Sequence, residues 1–476
     1  MSARPGSRGD PLRFTVSFER YHEAVDYLQR RLWHELPIVP VERALQARIR
    51  QLLAHFGDPH AAMPVVHVGG SAGKGSTSTM IASILQAAGL RTGLYTSPHL
   101  QTFIERVAVD RRLIAPEEFA ETVLGLDPLV RKMHLDVLDG AGYGRPSLVE
   151  VAFAAGMRHF AGERCDAAVV EVGLGGRTDC TNVFDKKPVT VLTNIEFEHR
   201  ERLGWTLASI AREKAAIITG CEVVIAGALR REALRVIEAR CAETGATLWR
   251  LGREIRVTRR SAGDAGATFD VRTPRGSIGG LRVPLRGNHQ VTNAALAVAA
   301  AVAFPDESCA VTNAAIRCGL ESVRLSGRLE RVQDQPRVLL DSAHNPVEAR
   351  HLARTLRAEA PRGGGQLHLV CGILADKDQA AMVRALAPAA ARVTVTQPPL
   401  AERIGDPETM LALFRKALGE GTVAFEPDPH RALNRAIEDA SPDDVICVTG
   451  SMFLIGAVRG RWVPEERILS TRSAEP

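Results

Sequence analysis

Near residue 70 the apolar and polar positions fall into blocks that predict a strand, a turn and a helix, in that order. Residues 65–68 form a short apolar run, which predicts a buried strand. A glycine-rich polar stretch, residues 69–77, follows it. Apolar side chains then recur at three-and-four spacing and predict an amphipathic helix that stops at Gly89: Met80, Ile81, Ile84, Leu85 and Ala88. This order is typical of an open α/β sheet.

The alternation continues through the first two thirds of the chain and predicts a parallel sheet wrapped by helices. Further strands are predicted at residues 92–96 and 167–172, with a helix at residues 147–161 between them. Residues 223–284 mix basic and β-branched side chains with glycines, which predicts small antiparallel pieces appended to that sheet. An alanine-rich helix is predicted at residues 291–303.

A second series of strands begins at Arg337 and predicts another, smaller α/β domain. Four apolar runs are each followed by a loop and a helical pattern: residues 338–340, 367–370, 393–395 and 445–448. The predicted fold class is therefore α/β, with an N-terminal P-loop-type parallel sheet domain over residues 1–322 and a smaller Rossmann-like C-terminal domain over residues 323–476. Residues 1–15 are polar and are expected to be frayed.

Composition narrows the class of protein. A chain of 476 residues exceeds what one hydrophobic core usually supports, so more than one domain is expected. Lysine and arginine number 60 against 55 acidic residues, and this mild excess without a basic run does not call for nucleic acid. The eight cysteines contain no Cys-x-x-Cys pair, which favours reduced thiols over a zinc site. Without a signal-peptide pattern or a membrane-length apolar run, we expect a cytoplasmic protein with no membrane partner.

The glycine-rich turn has the chemistry of a phosphate-binding loop. Glycines allow successive backbone N–H groups to face one point, Lys74 can meet the outer phosphates, and a hydroxyl can join a magnesium shell. The spacing departs from the strict Walker pattern, because Gly75 follows the lysine where Ser or Thr would stand. The alternative is a structural βα turn of an unrelated open sheet.

Three strand ends carry polar residues that could face this turn. Ligands of open α/β sheets gather at the carboxyl ends of the strands. Ser97 follows the strand at residues 92–96, Glu171 ends the next one, and the run at residues 191–193 leads towards His199. Magnesium prefers oxygen ligands, so Ser97 and Glu171 are the predicted metal ligands. Taken singly, each residue could instead form a turn, a surface position or an ordinary ion pair.

Several ordered motifs together resemble a known family. They are His67 to Thr77, Tyr95 to Leu100, Glu105-Arg106-Val107, Glu171 to Arg177, Asp179 to Asn182, Ser209 to Ala215, His289-Gln290 with Asn293, Gly327 to Glu330, Asp341 to Pro346, Asp376-Lys377-Asp378 and Gly450-Ser451. In this order the chain resembles the folylpolyglutamate synthase and dihydrofolate synthase family of Mur-type ligases. The resemblance runs from about Tyr21 to Arg459 and implies a Mur ligase-like central domain followed by a glutamate-ligase domain.

The resemblance implies an ATP-dependent amide ligase. A pteroate or folate carboxylate would take the γ-phosphate, and the amino group of L-glutamate would attack the resulting acyl phosphate. ATP and Mg²⁺ are the implied cofactors, small molecules the implied partners, and a monomer the expected state. The implied ATP-binding residues are Gly70, Ser71, Ala72, Gly73, Lys74, Gly75, Ser76, Asn293, Arg328 and Asp341.

The remaining roles are also carried over from the resemblance. Ser97, Glu171 and His199 would coordinate magnesium, and His344 with Ser451 would place glutamate. Lys74, Lys214 and His344 are the implied catalytic residues, and Lys214 matches a family lysine that is carbamylated. Pteridine contacts are implied for two segments: Ser147, Leu148, Val149 and Glu150, and Thr178, Asp179 and Cys180. Glu150 and Asp179 are the expected polar anchors.

Some positions depart from the family pattern and leave alternatives open. The phosphate turn has Ser71 and Ala72 where Thr and Asn are usual, Glu198 replaces the usual Asp before the metal histidine, and Ser147 to Val149 lacks an aromatic. One alternative is a Mur-type ligase that acts on a different carboxylate. Another is a nucleotide-binding module without synthase activity.

Overall fold

A computed structural model describes residues 18–31, 42–138, 142–220, 223–227, 230–263, 265–304, 311–358, 364–400 and 403–475. The expected fraying of residues 1–15 lies outside the described residues. The described chain forms two large mixed sheets and one small sheet, each with helices packed against it. The predicted α/β class is confirmed.

The first sheet has eight strands in the order β4-β3-β2-β5-β1-β6-β7-β8. Its strands are β1 Val65–Gly69, β2 Thr92–Tyr95, β3 Val107–Val109, β4 Arg112–Leu113, β5 Ala167–Glu171, β6 Val189–Leu192, β7 Val223–Ala226 and β8 Thr247–Arg250. From β2 to β8 the neighbouring strands run parallel, and only β3 and β4 add an antiparallel edge. The central strand β1 is buried along its whole length, as its apolar run predicted.

Helices cover both faces of this sheet. They are α1 Glu19–Asp26, α2 Glu42–His55, α3 Lys74–Ala87, α4 Pro116–Gly125, α5 Asp127–Leu138, α6 Leu148–Gly162, α7 Arg200–Leu203, α8 Leu207–Ala215, α9 Arg231–Thr244, α10 Asn288–Ala303 and α11 Asn313–Glu321. Helix α3 is buried on most of its surface. Gly319 of α11 lies so close to α3 that a Cβ on it would be 2.5 Å from the Cα of Ile84. This close packing fixes the position of α3.

One part of the sequence prediction was wrong. Residues 223–250 were expected to be antiparallel pieces, but β7 and β8 extend the parallel sheet and α9 connects them. The missed signal is the helical spacing of the buried side chains Ala233, Ile237 and Cys241, which is hidden among exposed arginines and glutamates. Only β9 Arg256–Gly263, β10 Gly266–Thr273 and β11 Gly276–Val283 form the expected antiparallel sheet, and it is separate from the first one.

The second large sheet has six strands in the order β12-β13-β17-β14-β15-β16. Its strands are β12 Glu330–Asp334, β13 Arg337–Leu340, β14 Leu367–Cys371, β15 Arg392–Val395, β16 Val423–Phe425 and β17 Val445–Thr449. All neighbours are parallel except β12 and β13. The helices are α12 Pro346–Ala358, α13 Gln379–Leu386, α14 Pro407–Leu418, α15 Pro429–Glu438, α16 Met452–Arg459 and α17 Glu465–Thr471.

Below, the elements from α1 to α11 are called the first lobe and those from β12 to α16 the second lobe. Helix α11 ends at Glu321 and strand β12 begins at Glu330, while the domain boundary at residues 322 and 323 stays a prediction. No helix among the described residues is both long and apolar enough to cross a membrane. The carboxyl ends of β1, β2, β5 and β6 face the same region, to which the second lobe contributes the loops after β13 and β17.

Candidate active site

Two glycines of the turn after β1 allow close approach of neighbouring side chains. Gly70 has a φ of +137°, and a Cβ on it would lie 2.0 Å from Thr193 Oγ1. Gly73 has a φ of +79°, and a Cβ there would lie 2.5 Å from Asn293 Oδ1. Both positions therefore require glycine. They bring the turn against the end of β6 and the first turns of α10.

The side chain of Asn194 holds this turn in shape. Its Oδ1 accepts hydrogen bonds from the backbone N–H groups of Ser71, at 3.2 Å, and Ala72, at 2.8 Å. The Ser71 hydroxyl donates to the carbonyl of Glu196 at 3.2 Å, and it accepts from the Glu196 N–H at 3.0 Å. The first N–H groups of α3, from Lys74 onward, have no acceptor within the helix and are the natural phosphate donors. Sequence analysis missed Asn194, although its place directly after β6 was a usable signal.

A cavity of about 270 Å³ opens beside this turn and is lined by both predicted lysines. We call it the lysine cavity. Its wall includes these predicted site residues: Ser71, Ala72, Gly73, Lys74, Gly75, Ser76, Ser97, Glu171, His199, Lys214, Arg328 and His344. The structure therefore brings together the predicted phosphate, metal and catalytic residues.

The three predicted metal ligands lie on this wall. The Ser97 N–H donates to Glu171 Oε2 at 3.1 Å, and Ser97 Oγ is buried without a hydrogen-bond partner among the residues that the structure describes. Burial raises the pKa of Glu171, and the nearby Lys74 ammonium and Ser97 N–H partly oppose this. Loss of hydration, with Lys377 nearby, lowers the pKa of His199 to about 4, so its imidazole is neutral at pH 7.

This donor set fits a magnesium ion. A buried hydroxyl oxygen without a partner among the described residues, a carboxylate and a neutral imidazole line one cavity next to the start of α3, and oxygens from phosphates and water would complete the shell. The Gly75 Cα approaches Glu171 closely, since a Cβ on it would lie 3.4 Å from Oε2. Glu171, one of the predicted metal ligands, therefore lies against the start of α3.

Lys214 is almost fully buried, with 2% of its surface exposed, and is not the surface lysine expected of an unmodified side chain. Its Nζ lies 2.6 Å from Glu198 Oε1 and donates to the Gly70 carbonyl at 2.9 Å. Burial lowers the pKa of Lys214, and Glu198 partly opposes this effect. Burial alone would raise the pKa of Glu198. The positive charges of Lys214 and Lys74 have the larger effect, and the pKa of Glu198 is lowered. The pair is thus a charged contact behind the phosphate turn.

A second cavity of about 270 Å³ adjoins the first and is lined by a stacked histidine pair, so we call it the histidine cavity. The rings of His289 and His351 lie 5.0 Å apart. The predicted ATP residues Asn293, Arg328 and Asp341 line this cavity. Ala72, Gly73, Ser76, Arg328 and Glu348 line both cavities, so the two share a wall.

Asp341 is held rigidly at this shared site. Its carboxylate accepts the N–H groups of Leu329 and Ala343, each at 3.0 Å. Burial raises the pKa of Asp341 to about 6, despite the nearby Arg328 guanidinium. The carboxylate is therefore ionised at pH 7 but within reach of protonation in mild acid.

The second lobe contributes His344 and Glu348 to the lysine cavity. His344 Nδ1 lies 3.0 Å from the carbonyl oxygen of Ser342 and 3.1 Å from Glu348 Oε2, and because both oxygens accept, Nδ1 is the donor. Glu348 accepts the His344 N–H at 3.1 Å and lies 3.9 Å from Arg328. Sequence analysis missed Glu348. Ser451 is buried, accepts the Phe453 N–H as the cap of α16, and does not line either cavity.

The two predicted pteridine segments lie together but outside both cavity walls. The Cys180 thiol is 3.9 Å from the Val149 carbonyl. Glu150, an expected anchor, is buried in an ion pair with Arg48 at 3.0 Å and also caps α6 through Ser147. Asp179 accepts the N–H of Leu174 at 2.8 Å and the hydroxyl of Thr181 at 2.6 Å. Both carboxylates are thus bound within the protein, although Asp179 lies close to Ser97 across Gly173.

Comparisons with known proteins agree with this geometry. The Mur ligase middle domain matches residues 146–301, and the Mur ligase glutamate ligase domain matches residues 327–452. The chain is 34% identical to the dihydrofolate synthase/folylpolyglutamate synthase of Mycobacterium tuberculosis, over 91% of this chain and 92% of that protein. It is 33% identical to the folylpolyglutamate synthase of Lacticaseibacillus casei, over 92% of this chain and 98% of that protein.

Solved structures show the same likeness. Folylpolyglutamate synthase of Mycobacterium tuberculosis, complexed with ADP, superposes with a TM-score of 0.83 at 31% identity, covering 93% of this chain and 98% of that one. Escherichia coli FolC, in complex with DHPP and ADP, superposes with a TM-score of 0.77 at 29% identity, covering 93% of this chain and 97% of that one. The chain therefore belongs to the folylpolyglutamate synthase and dihydrofolate synthase family of Mur-type ligases.

Proposed function

We propose that this protein is an ATP-dependent ligase that joins L-glutamate to the carboxylate of dihydropteroate, of a folylpolyglutamate, or of both. The observation that carries the proposal is the shared wall of the two cavities. Phosphate-loop, metal-ligand and lysine side chains line one cavity, the predicted ATP residues line the other, and Arg328 reaches both. Relatives in the same family carry this activity in their names.

The reaction has two covalent steps. A substrate carboxylate oxygen attacks the γ-phosphorus of ATP, and ADP leaves. The amino group of glutamate then attacks the acyl carbon, and phosphate leaves as the amide forms with release of one proton. Both steps depend mainly on charge neutralisation and on reactants held close together.

The chain's own residues supply that neutralisation and positioning. Lys74 and the N-terminal amides of α3 bind the phosphates, together with Gly70 to Gly73, Gly75 and Ser76. Arg328 places a positive charge on the wall that the two cavities share. Asn293 and Asp341 bind the nucleoside side of ATP. His344 and Ser451 place glutamate, and Glu348 fixes the His344 ring through Nδ1.

The metal ligands are Ser97, Glu171 and His199. A bound Mg²⁺ supplies charge neutralisation to the phosphates at this site. The buried, unpaired hydroxyl of Ser97 supports this assignment, because a fold rarely leaves such a group without a ligand.

Lys214 is proposed to be carbamylated. Its lowered pKa supports this, because carbon dioxide reacts with the neutral amine. Its short contact with Glu198 would have to open, since a carbamate and a carboxylate repel each other. Incubation with ¹³C-bicarbonate should produce a carbamate NMR signal that is absent from Lys214→Arg.

Further parts of the proposal concern organisation and substrate. Residues 1–322 act as the ATP-binding domain and residues 323–476 as the glutamate-ligase domain of a cytoplasmic monomer that binds neither nucleic acid nor membranes. The pterin end of the substrate contacts Ser147 to Glu150 and Thr178 to Cys180. Asp179, close to Ser97, is the anchor with the better access to the lysine cavity.

A substrate panel scored for ADP formation tests the function. We expect turnover that requires Mg²⁺ and L-glutamate and that appears with dihydropteroate or a reduced folate. Turnover with a UDP-muramyl substrate instead would identify a different Mur-type ligase. ATP binding without turnover on any carboxylate would identify a nucleotide-binding module.

A further inference from the structure

The loop that carries Ser97 is built partly into the other lobe. Leu100, three residues after Ser97, is 9% exposed and packs in a hydrophobic cluster around Leu340 and Ile455. Among the residues that the structure describes, all other buried members of this cluster lie between residues 338 and 458. A first-lobe side chain therefore forms part of the second-lobe core.

The backbone of this loop also touches the second lobe. A Cβ on Gly456 of α16 would lie 2.0 Å from the Leu100 carbonyl oxygen, so the helix and the loop are in direct contact. Gly327, with a φ of +66°, approaches the Leu100 side chain from the connection between the lobes. No side chain larger than hydrogen fits between α16 and this loop.

The next residue, Gln101, makes two hydrogen bonds to the second lobe and the segment that follows it. Its Nε2 donates to the Val463 carbonyl at 2.9 Å, and its Oε1 accepts from Arg459 Nη1 at 2.6 Å. Arg459 is fully buried and also pairs with Glu330 at 2.8 Å. Its Nη2 donates to the hydroxyl of Ser326 at 3.1 Å, so one guanidinium joins the Ser97 loop to the lobe connection.

Within the loop, little freedom remains between these anchors and Ser97. Glu105 accepts the N–H groups of Leu100, Gln101 and Thr102, at 3.0, 2.9 and 2.8 Å. At the other end, the Ser97 N–H is bound to Glu171. The loop is thus fixed to the first lobe at Ser97 and to the second lobe at Leu100 and Gln101.

We infer that Leu100, Gln101 and Arg459 are positioning residues for the divalent cation: the second lobe docks onto Leu100 and Gln101, in part through Arg459, and this holds Ser97 Oγ in register with Glu171. The inference rests on the proposed function only through the role of Ser97 as a metal ligand. Leu100 also lines the lysine cavity, whereas Gln101 and Arg459 lie outside both cavity walls. Cation affinity should then depend on the contact between Gln101 and Arg459, which no ligand in either cavity touches.

The test measures cation binding directly. Mn²⁺ is titrated into the full-length protein with ADP present, and free Mn²⁺ is followed by its electron paramagnetic resonance signal. Leu100→Ala and Gln101→Leu should each weaken Mn²⁺ binding about 10-fold, as is usual when the supports of a metal ligand are lost. In Gln101→Leu, ADP binding without a divalent cation should change less than about 2-fold, because Gln101 lies outside both cavity walls.

A matched truncation separates positioning from general destabilisation. Leu386 is fully buried in a different cluster of the second lobe, so Leu386→Ala should destabilise the fold to a similar degree but leave Mn²⁺ affinity unchanged. Gln101→Glu keeps an acceptor for Arg459 but loses the donor to the Val463 carbonyl, so it should restore part of the affinity lost in Gln101→Leu. If Leu100→Ala does not fold, the two Gln101 variants decide the question.

Two results would overturn the inference. One is unchanged Mn²⁺ affinity in Gln101→Leu, and the other is an equal loss of affinity in Leu386→Ala. Because Mn²⁺ and ADP are the only ligands, the outcome does not depend on which carboxylate the enzyme uses. A wrong substrate class would show in the ADP-formation panel and leave this measurement intact.

Discussion

The lysine cavity and the pair of pteridine segments contain similar polar residues, but these differ in whether other protein groups satisfy their hydrogen bonds. Around the cavity, Ser97 Oγ is buried without a partner in the described part of the chain, and burial raises the pKa of Glu171. In the pteridine segments, Glu150 is saturated by Arg48 and Ser147. Buried polar groups are normally satisfied, so a buried hydroxyl without a partner among the described residues, on the wall of a cavity, favours a ligand contact there. A matching motif can therefore mean catalysis in one place and fold maintenance in another.

The largest expected effect is the loss of Lys74. Lys74→Ala should lower kcat/KM by about 10³-fold, or ~4 kcal/mol, because a phosphate-facing charge in a water-poor site is lost. The fold should persist, because the Lys74 side chain lines a cavity and is not packed in a hydrophobic core. Steady-state ADP formation and circular dichroism measure the two effects, and full activity in this variant would contradict the assigned role.

The next effect tests the other region. Arg48→Met leaves the Glu150 carboxylate buried without its partner and should cost about 3 kcal/mol in the free energy of unfolding. Arg131→Met, which breaks an exposed pair with Asp127, should cost less than about 0.5 kcal/mol. Urea denaturation compares the two variants, and equal effects would show that Glu150 is not held as described.

Two serine hydroxyls sharpen the comparison further. Ser97→Ala removes a hydroxyl without a protein partner, so activity should fall about 10-fold while stability is unchanged. Ser83→Ala removes a hydroxyl that donates to the Gly319 carbonyl at 2.7 Å, so stability should fall by about 1 kcal/mol with unchanged activity. Thermal melts and initial rates measured on both variants should show an activity loss only in Ser97→Ala and a stability loss only in Ser83→Ala. A stability loss in Ser97→Ala would refute the prediction.

The smallest effect depends on pH. With a pKa of about 6, Asp341 is ionised at pH 7.5 and mostly protonated at pH 5. A protonated Asp341 is a poorer acceptor, so the KM for ATP should rise as pH falls through 6, by up to about 10-fold at pH 5. Asp341→Asn should have a high KM with little pH dependence between 5 and 7.5. A wild-type KM that stays constant over this range would remove Asp341 from the nucleotide site.

Local hydrophobic patterns predicted the strands and helices whose apolar residues follow a single clear periodicity. The run at residues 65–68 became a central strand buried on both faces, and the spacing after Gly75 became α3. Helix α9 was missed because an amphipathic helix with many arginines and glutamates resembles mixed polar sequence unless its buried positions are counted at four-residue intervals.

The same limit applies to the candidate site. Residues at strand ends, such as Ser97 and Glu171, were predictable because the parallel sheet gathers those ends. Asn194 also follows a strand, but its hydrogen bond to Ala72 joins segments more than 100 residues apart, so its role was not visible locally. Glu348 reaches the lysine cavity from the other lobe, which no local pattern reveals. Whether Glu150 pairs with Arg48 likewise depends on the packing of α2 against α6, which no local spacing reveals.

The tether between Asn194 and the phosphate turn has a thermodynamic consequence. Segments that become ordered only on binding lose conformational entropy at that moment, at roughly 1–2 kcal/mol for each residue. Here the side-chain amide of Asn194 already holds Ser71 and Ala72, so the phosphate turn is preorganised before the nucleotide binds. ADP can then be exchanged for ATP without unfolding and refolding of the turn in every catalytic cycle.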